Sequence, residues 1–570
     1  MRHPRRYAHW YLPIVHAIRH TIDSVGCVRG WSLPKIPPQY TYRRSADQES
    51  TRIVHHPVIV VGAGPSGLTA AIELAACGIP AVLLDDNNTV STGSRAICFA
   101  KRTLEIWDRL GCAAPMLAKG VVWQLGKVFF KDAQVYQFNL MPEGGHKMPA
   151  FINLQQYYVE EMLVDRIGAL PAIELRWMNK VVGVVQYDDV VGLEIETPDG
   201  NYRLTCDYLL AGDGANSYIR DALGAKGQGQ EFDDRFLIAD ITMQADFPTE
   251  RWFWFDPPFY PGRSVLLHRQ PDNIWRVDFQ LGADADLTDA LRIENIEPRI
   301  NAMLGVDKRW TLEWASAYTF RCRKLDSFIH GRVFFIGDAA HQVSPFGARG
   351  ANGAVQSIEN LIWKLVRVMR GSAPQALLTT YDAERQHGAA ENLLNSTRAT
   401  DFITPKSAIS RVFRDSTLQL AKRYPFARAL VNSGRLSVPC RYENSPLNSP
   451  DVGTFAPLAR PGSVCPDAAI EQHERSGWLL EQLGGVFVLL VAQRHVPAEL
   501  RDVADLLVLE LGVDLSDTNG DVIRRYDLAK GGAYLIRPDQ HVAGRWRKFS
   551  AAQVLRAMRR ALAFEEMEAA

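Results

Sequence analysis

One stretch decides the fold of this chain: Val58-Ile59-Val60-Val61-Gly62-Ala63-Gly64-Pro65-Ser66-Gly67. Its four leading apolar residues predict a strand that is buried on both faces, as in a parallel sheet. A helical stretch from Leu68 to Ala76 follows directly. Strand, GxGxxG turn and helix in this order form the dinucleotide-binding fingerprint, in which backbone N–H groups at the helix start face a pyrophosphate. The sequence therefore predicts an α/β fold with a Rossmann-like dinucleotide site.

The residues around this turn have separate expected roles. Gly62 permits the tight turn, Gly64 lets a pyrophosphate approach the backbone, and Gly67 lets the helix pack on the strand. A second apolar strand, 81–84, ends at Asp85, where a carboxylate is expected to bind a ribose hydroxyl.

Two later segments repeat the pattern of an apolar strand that ends in a polar turn. The first is Tyr208 to Ala211, followed by Gly212-Asp213-Gly214, which taken alone is an ordinary turn. The second runs into Gly337-Asp338-Ala339-Ala340-His341, and a glycine-rich loop from Pro345 to Gly353 then leads into a helix. The start of such a helix stabilises negative charge on a bound group.

Together these segments resemble the group A FAD-dependent aromatic monooxygenases, which are hydroxylases. That family has GxGxxG, then DG, then GD followed by AAH and a helix with NLxWKL, and here Asn360-Leu361-Ile362-Trp363-Lys364-Leu365 matches the last part. The resemblance implies a para-hydroxybenzoate hydroxylase-like fold, in which a β-sheet substrate domain is interleaved with the FAD-binding domain. It also implies FAD as cofactor, NADH or NADPH as co-substrate, and hydroxylation of a phenolic ring through a flavin C4a-hydroperoxide. The absence of a second GxGxxG agrees with a nicotinamide that visits the flavin without its own domain.

The resemblance also implies which residues contact FAD. Asp338 would hydrogen-bond the ribityl chain, Asp213 would lie between the cofactor and nicotinamide sites, and the backbone from 345 to 352 would line the isoalloxazine ring. The stretch Arg95-Ala96 with Arg102-Thr103-Leu104-Glu105 resembles the family's RA…RTLE, and Gln156 with Glu160 resembles QxxxE, although Gln155 is an alternative contact. The expected cofactor-binding residues are Gly62, Gly64, Pro65, Ser66, Gly67, Asp85, Arg95, Gln156, Asp213, Gly337, Asp338, Pro345, Gly350, Ala351 and Asn352.

Two positions depart from the family pattern. Ser357 stands where an Asp is usual before NLxWKL, and Asp85 replaces a Glu and has a shorter reach. Each change puts one contact in doubt and leaves the overall resemblance intact.

The chain divides into three expected parts. Residues 1–50 are rich in Arg and Pro and predict a poorly ordered N-terminal extension. Residues 51–440 are expected to form the FAD-binding domain, with substrate-domain segments mainly at 120–150 and 232–325. Residues 441–570 resemble the thioredoxin-like C-terminal domain of the phenol and 3-(3-hydroxyphenyl)propionate hydroxylase branch. Because a redox CxxC is absent there, we expect that domain to be structural or oligomeric.

The substrate pocket is expected in the second substrate segment. The aromatic-rich stretch 251–260 fits a pocket for a ring, although aromatic residues at alternate positions would equally form core or a subunit contact. Hydroxylation of a phenol needs a base or a hydrogen-bond chain that removes its proton. By residue type alone, His268, Tyr260 and Asp278 are the catalytic candidates, and His341 has an equally ambiguous role beside the loop.

Charge, apolar runs and cysteine spacing limit the classes of partner that we expect. Lys plus Arg and Asp plus Glu both total 64, so bulk charge gives no reason to expect nucleic acid or an anionic membrane. No apolar run is long enough to cross a bilayer. Eight cysteines form no CxxC and no zinc-type spacing, which indicates buried thiols in a reducing cytoplasm and no metal site. The expected partners are a small phenolic substrate, O2 and a second copy in a homodimer.

Three other functions remain open at this point. A flavin-dependent halogenase is one, because Trp252-Phe253-Trp254-Phe255-Asp256-Pro257 resembles WxWxIP, with Asp in place of Ile. An FAD-dependent reductase or epoxidase of the same fold is another, since fold does not fix chemistry. The third is a flavin-binding interaction protein without turnover.

Overall fold

The computed structural model describes residues 37–93, 95–243, 247–431, 436, 438–451, 453–492 and 496–564. The strands in chain order are β1 (Val54–Val61), β2 (Ala81–Leu84), β3 (Cys98–Ala100), β4 (Val121–Trp123), β5 (Leu125–Phe130), β6 (Ala133–Asn139), β7 (Phe151–Asn153), β8 (Ile173–Arg176), β9 (Lys180–Gln186), β10 (Val191–Thr197), β11 (Gly200–Ala211), β12 (Gly227–Met243), β13 (Arg251–Phe255), β14 (Ser264–Arg269), β15 (Ile274–Gln280), β16 (Trp310–Leu325), β17 (Ile329–His330), β18 (Val333–Phe335), β19 (His341–Gln342), β20 (Ala469–Gln472), β21 (Arg475–Trp478), β22 (Phe487–Ala492), β23 (Leu506–Glu510), β24 (Ser516–Asp517), β25 (Gly532–Ile536) and β26 (Val542–Trp546).

The α-helices alternate with these strands. In chain order they are α1 (Pro65–Ala76), α2 (Lys101–Arg109), α3 (Ala113–Lys119), α4 (Gln156–Gly168), α5 (Tyr218–Ala222), α6 (Leu287–Ala290), α7 (Ile293–Leu304), α8 (Gly350–Met369), α9 (Ala376–Ile403), α10 (Ala408–Ala421), α11 (Pro425–Leu430), α12 (Asp521–Arg525) and α13 (Ala551–Ala561).

The first sheet carries the dinucleotide fingerprint. Its central order is β17-β18-β11-β1-β2-β8, and β1 is parallel to both β2 and β11. Helices α1 and α8 pack beside it, so Val58, Ile59 and Val60 are fully buried. The parallel order brings the carboxyl ends of β1, β11 and β18 together, and these are the ends at which ligands bind in open α/β sheets. The predicted α/β class is confirmed.

The second sheet has the order β19-β16-β12-β15-β14-β13-β5-β6. Successive side chains of a strand point to opposite faces. Trp252 and Trp254 therefore belong to the core on the outer face, under α6 and α7. Phe253 and Phe255 point to the inner face, which lies toward the first sheet. The aromatic stretch serves as core on one face and as a wall on the other.

The C-terminal part has its own four-stranded sheet, β23-β22-β25-β26, which α13 covers. Only the pair β22–β23 is parallel within this sheet. The assignment of this part as thioredoxin-like, and the domain boundaries, stay predictions.

Four fully buried charged side chains join the C-terminal part to α8 and α9, and we call them the interdomain network: Lys364, Glu384, Arg537 and Asp539. Glu384 accepts from Arg537 Nη1 at 2.6 Å and from Lys364 Nζ at 2.7 Å. Arg537 also binds Asp539. Each charge in the interdomain network thus contacts a charge of opposite sign.

The predicted N-terminal extension is partly wrong. Residues 1–36 lie outside the described residues, but residues 37–50 pack on the body of the protein. The Tyr40 ring stacks on Trp177 with centroids 4.5 Å apart, and Asp47 pairs with both Arg176 and His56. Aromatic and ionic contacts therefore order this short segment, which composition alone had placed with the rest of the extension. Among the described helices, none combines the length and apolar character needed to cross a membrane.

Candidate cofactor and substrate site

The three glycines of the fingerprint have different surroundings. Gly62 has φ of +99°, and a Cβ there would lie 2.3 Å from the Gly212 carbonyl oxygen. A Cβ on Gly67 would lie 1.9 Å from the carbonyl oxygen of Gly62. Gly64 caps the start of α1 and has no atom within 4 Å of the place where its Cβ would be. Gly62 and Gly67 are therefore fixed by packing, whereas Gly64 borders open space at a helix start.

Asp85 supports this loop from the end of β2. Its Oδ2 accepts from Ala63 N at 2.5 Å and its Oδ1 accepts from Asn87 N at 2.8 Å. Burial raises the pKa of Asp85 to about 6, against the lowering effect of these two backbone donors. Each carboxylate oxygen keeps a second lone pair, so the ribose contact stays a prediction.

The GD turn lies against the fingerprint loop. Gly337 has φ of +59°, and a Cβ there would lie 2.5 Å from Ser66 Oγ. Asp338 is exposed to a cleft, yet the protein around it desolvates the carboxyl enough to raise its pKa. The Arg95 guanidinium opposes that rise, so Arg95 and Asp338 act on each other across the same cleft.

The DG turn lies on the other side of the fingerprint. Gly212 N donates to the Val61 carbonyl at 2.8 Å, which joins the two turns directly. Asp213 Oδ2 accepts from Ile219 N at 3.0 Å, and Asp213 Oδ1 is buried without a hydrogen-bond partner among the described residues. Burial raises the pKa of Asp213. All three turns therefore meet at one cleft, and an unused acceptor lies there.

Gln155 and Gln156 differ in what their amides contact. Gln156 Oε1 accepts from Ala96 N at 3.0 Å, and its Nε2 donates to Glu160 at 2.7 Å. Gln155 precedes α4 and is fully buried, but neither amide atom has a partner within the described part of the chain. The geometry favours Gln155, the alternative residue, as a contact for a bound group, and Gln156 as a support of the Arg95 loop.

The loop after GD ends at the start of α8. Asn352 Oδ1 accepts from Ala100 N and Thr103 Oγ1, and its Nδ2 donates to the carbonyls of Cys98 and Ala348. This side chain therefore fastens the loop and has no capacity left for a ligand.

The backbone N–H groups at the start of α8, unlike the Asn352 side chain, remain available to a ligand. The first hydrogen bond of α8 runs from Gly353 N to the Arg349 carbonyl at 2.8 Å. The N–H groups of Gly350, Ala351 and Asn352 consequently point out of the helix start, where they favour negative charge.

The inner face of the second sheet carries buried charges. His268 and Arg276 are cross-strand neighbours. Arg276 Nε donates to Asp278 at 2.9 Å, and its Nη1 donates to the Arg95 carbonyl at 3.1 Å, which links this sheet to the cofactor cleft. Burial, helped by Arg251 and Arg276, holds the pKa of His268 well below its usual range. His268 is therefore a neutral imidazole, 3.9 Å from Cys98 Sγ.

The structure places Tyr260 apart from this group. Its ring packs on Phe279 with centroids 5.4 Å apart, on the outer face of the sheet. Its hydroxyl donates to the Gln280 carbonyl at 2.9 Å. His268 and Asp278 remain on the inner face, and the alternation of the strands explains the separation.

His341 has a supporting place behind the loop. It is buried, its ring lies 5.8 Å from Phe328, and burial lowers its pKa to about 3. A Cβ on Gly353 would come within 3.7 Å of the ring. We interpret His341 as packing that shapes the start of α8.

A cavity opens between the inner face and the loop after GD. Sequence reasoning missed Arg251 in its lining, although that residue alternates with Phe253 and Phe255 along one strand. The lining residues come from β5, β6, β13, the loop, α9 and the chain after α11: Lys127, Val128, Phe138, Arg251, Phe253, Phe255, Phe346, Gly347, Arg349, Ala399, Ile403, Val431 and Leu436.

Comparisons with known proteins agree on the class. A family model described as FAD binding domain matches residues 55–396. The 6-methylpretetramide 4-monooxygenase of Streptomyces rimosus is 28% identical over 516 residues, which cover 86% of this chain and 90% of that protein. The 3-(3-hydroxy-phenyl)propionate/3-hydroxycinnamic acid hydroxylase of Burkholderia cenocepacia (strain HI2424) is 25% identical over 517 residues, 85% of this chain and 93% of that protein.

A solved structure shares the fold. The flavin-dependent monooxygenase PieE in complex with FAD and substrate superposes with a TM-score of 0.78 at 24% identity. The match covers 90% of this chain and 99% of that one.

Proposed function

The chain belongs to the FAD binding domain family, and from that premise we propose that it is an FAD-dependent monooxygenase that hydroxylates a phenolic ring with NADH or NADPH as co-substrate. The observation that carries the proposal is the meeting of three turns at one cleft beside an aromatic cavity. Gly212 contacts Gly62 there, and Gly337 contacts Ser66. Gly347 belongs to the loop that lines the neighbouring cavity, so a ring in that cavity would lie against the edge of the cofactor site.

The residues in the cleft fit FAD. Open space at Gly64 and the start of α1 suit a pyrophosphate. The Gln155 amide and Asp213 Oδ1, both buried and unsatisfied within the described residues, suit polar edges of a bound group. The N–H groups that start α8 suit the negative charge of a reduced flavin. The chemistry that FAD supplies when bound is acceptance of a hydride and activation of O2 for transfer to the ring.

The protein's own part is to exclude water and to handle the phenol proton. Phe253, Phe255 and Phe346 make an apolar wall, which protects reactive oxygen species from water. His268 and Asp278 stay the catalytic candidates on the inner face of the second sheet. His268 lies 3.9 Å from Cys98 Sγ, and Arg276 holds Asp278 in place.

The experiment is turnover by the purified chain alone. We expect FAD to bind stoichiometrically, a phenol to stimulate NADH or NADPH oxidation, and the product to gain one oxygen atom that derives from labelled O2. A halogenase would need a separate reductase and halide, a reductase would change only the hydrogen count, and an interaction protein would keep its oxidised flavin spectrum. Oxidation that yields hydrogen peroxide with every phenol tested, and no oxygenated product, would overturn the proposal.

Three further assignments accompany this function as proposals. We place the protein in the cytoplasm, as a homodimer, without nucleic-acid or membrane partners. Sedimentation at micromolar concentration tests the homodimer, and a monomer in the presence of FAD would exclude it.

A further inference from the structure

The cavity beside the cofactor cleft has an uneven charge. Three of its lining residues are cationic, Lys127, Arg251 and Arg349, and none is acidic. The rest of the lining is apolar or aromatic. Such a cavity suits an aromatic ligand that brings a negative charge of its own.

Two of the three cations already have protein partners. Lys127 Nζ lies 2.8 Å from a carboxylate oxygen of Glu250. Arg349 Nη1 donates to Asn392 Oδ1 at 3.4 Å and forms the start of α8. Lys127 is thus paired with an acid, and Arg349 already donates to a neutral amide.

Arg251 differs from both. It is 8% exposed, and Nη1 is buried without a hydrogen-bond partner among the described residues. Asp278 is the carboxylate that acts on it electrostatically, and Arg276 already engages Asp278 at 2.9 Å. Burial accordingly lowers the pKa of Arg251. A buried guanidinium without an ion pair is costly, so its retention at this place calls for a ligand group.

We propose that Arg251 binds a carboxylate on the aromatic substrate, so that the substrate class is a phenol that carries an acidic side chain. The proposal rests on the proposed monooxygenase function. A guanidinium presents two parallel N–H groups that match the two oxygens of a carboxylate. Arg251 begins β13, and Phe253 and Phe255 follow on the same face, so a ring whose carboxylate is held at Arg251 lies along these aromatic side chains.

The test is binding to the FAD-loaded chain, measured without turnover. Each phenolic acid of a panel (3-hydroxybenzoate, 3-hydroxyphenylacetate, 3-(3-hydroxyphenyl)propionate and 3-hydroxycinnamate) is titrated beside its neutral carboxamide, and the absorbance change of oxidised flavin gives Kd. At least one acid should bind about 30-fold more tightly than its amide, since a charge-assisted pair in a buried site is worth a factor of roughly 10 to 100.

Matched variants identify the residue. Arg251→Gln should abolish the preference for the acid and leave affinity for the amide within about 3-fold, and Arg251→Lys should retain part of the preference. Lys127→Gln removes the same charge from another lining residue, whose ammonium pairs with Glu250 and lies over the Trp252 ring, and should keep the preference. Flavin content and melting temperature of each variant establish that it is folded.

Several results would overturn the proposal: no acid in the panel preferred over its amide, equal loss of acid and amide in Arg251→Gln, or equal loss of preference in Lys127→Gln. Product analysis separates this failure from failure of the proposed function. If neutral phenols are oxygenated and no acid is preferred over its amide, the role of Arg251 is contradicted and the monooxygenase function stands. If acids are preferred through Arg251 but no oxygenated product forms, the monooxygenase function is contradicted and the role of Arg251 stands.

Discussion

The interdomain network and the substrate cavity both bury charged side chains, and they treat those charges in opposite ways. In the network, Glu384 lies between Arg537 and Lys364, and every member is at most 1% exposed. In the cavity, Arg251 is almost as deeply buried and has no ion pair with any described residue. Burial of a charge by itself therefore says little about its role. A charge that is balanced inside the protein holds elements together, whereas an unbalanced one is available to a ligand.

The largest expected effect comes from breaking the network. Glu384→Gln keeps the size of the side chain but removes the charge that balances Arg537 and Lys364. We expect the free energy of unfolding in urea to fall by about 3–5 kcal/mol, because buried cations are left without full compensation. Glu443→Gln is the control, since Glu443 pairs with Arg441 at the surface, and it should change nothing measurable. Similar losses in the two variants would show that the network does not hold the parts together.

The second effect has the opposite sign. Arg251→Met replaces an unpaired buried charge with an apolar side chain of similar length. We expect the unfolding free energy of the protein without cofactor to rise by about 1–2 kcal/mol, since no partner is left behind. Urea unfolding measures it beside Lys127→Met, which removes a paired charge and should not stabilise. A loss of stability like that of Glu384→Gln would remove the contrast between the two regions.

The third effect concerns the unsatisfied amide of Gln155. We expect Gln155→Leu to weaken FAD binding about tenfold, the loss of one hydrogen bond, without lowering the melting temperature of the apoprotein. Gln156→Leu should instead lower that melting temperature, because Ala96 N and Glu160 lose a partner. Quenching of flavin fluorescence gives Kd for both variants. Weakened FAD binding in Gln156→Leu alone would restore Gln156 as the contact.

The fourth effect is a pH dependence at Asp85. Its pKa is raised from 3.8 to about 6, so the folded protein holds this proton more tightly than the unfolded chain does. The resulting stability is fully present below pH 3.8 and is lost as the pH rises through about 6. We therefore expect the melting temperature of the apoprotein to fall, relative to that of Asp85→Asn, as the pH rises from 3.8 to about 6. Above pH 7 the two melting-temperature profiles should be parallel. Parallel profiles across the whole range would show that burial does not shift this carboxyl.

Sequence reasoning succeeded where a feature depends on a few consecutive residues. The turn at Gly62, the turn at Gly212 and the turn at Gly337 each follow an apolar strand, and in a parallel sheet such ends meet at one edge. The α/β class and the common cleft were therefore predictable. Residues 37–50 were not, because their order depends on Tyr40 meeting Trp177, far along the chain.

Sequence reasoning was insufficient where a shift of one residue along the chain changes the contacts of a side chain, or where the partner comes from a distant strand. Gln155 and Gln156 are adjacent, yet one precedes a helix and the other begins it, so their amides point to different partners. Tyr260 is near His268 in sequence but lies on the opposite face of the sheet. Whether Arg251 has a partner depends on the arrangement of neighbouring strands, and no local pattern reports it.

The network also has a consequence for how the chain is made. Glu384 and Arg537 are 153 residues apart. A ribosome that adds about 5–20 residues each second needs on the order of 10 s to deliver the second after the first. During that interval, Lys364 is the one cation of the network that has already been made and can pair with Glu384. Lys364 lies on α8, the helix whose start borders the cofactor cleft. The contact of the C-terminal part with α8 and α9 through this network therefore forms only after Arg537 has been made.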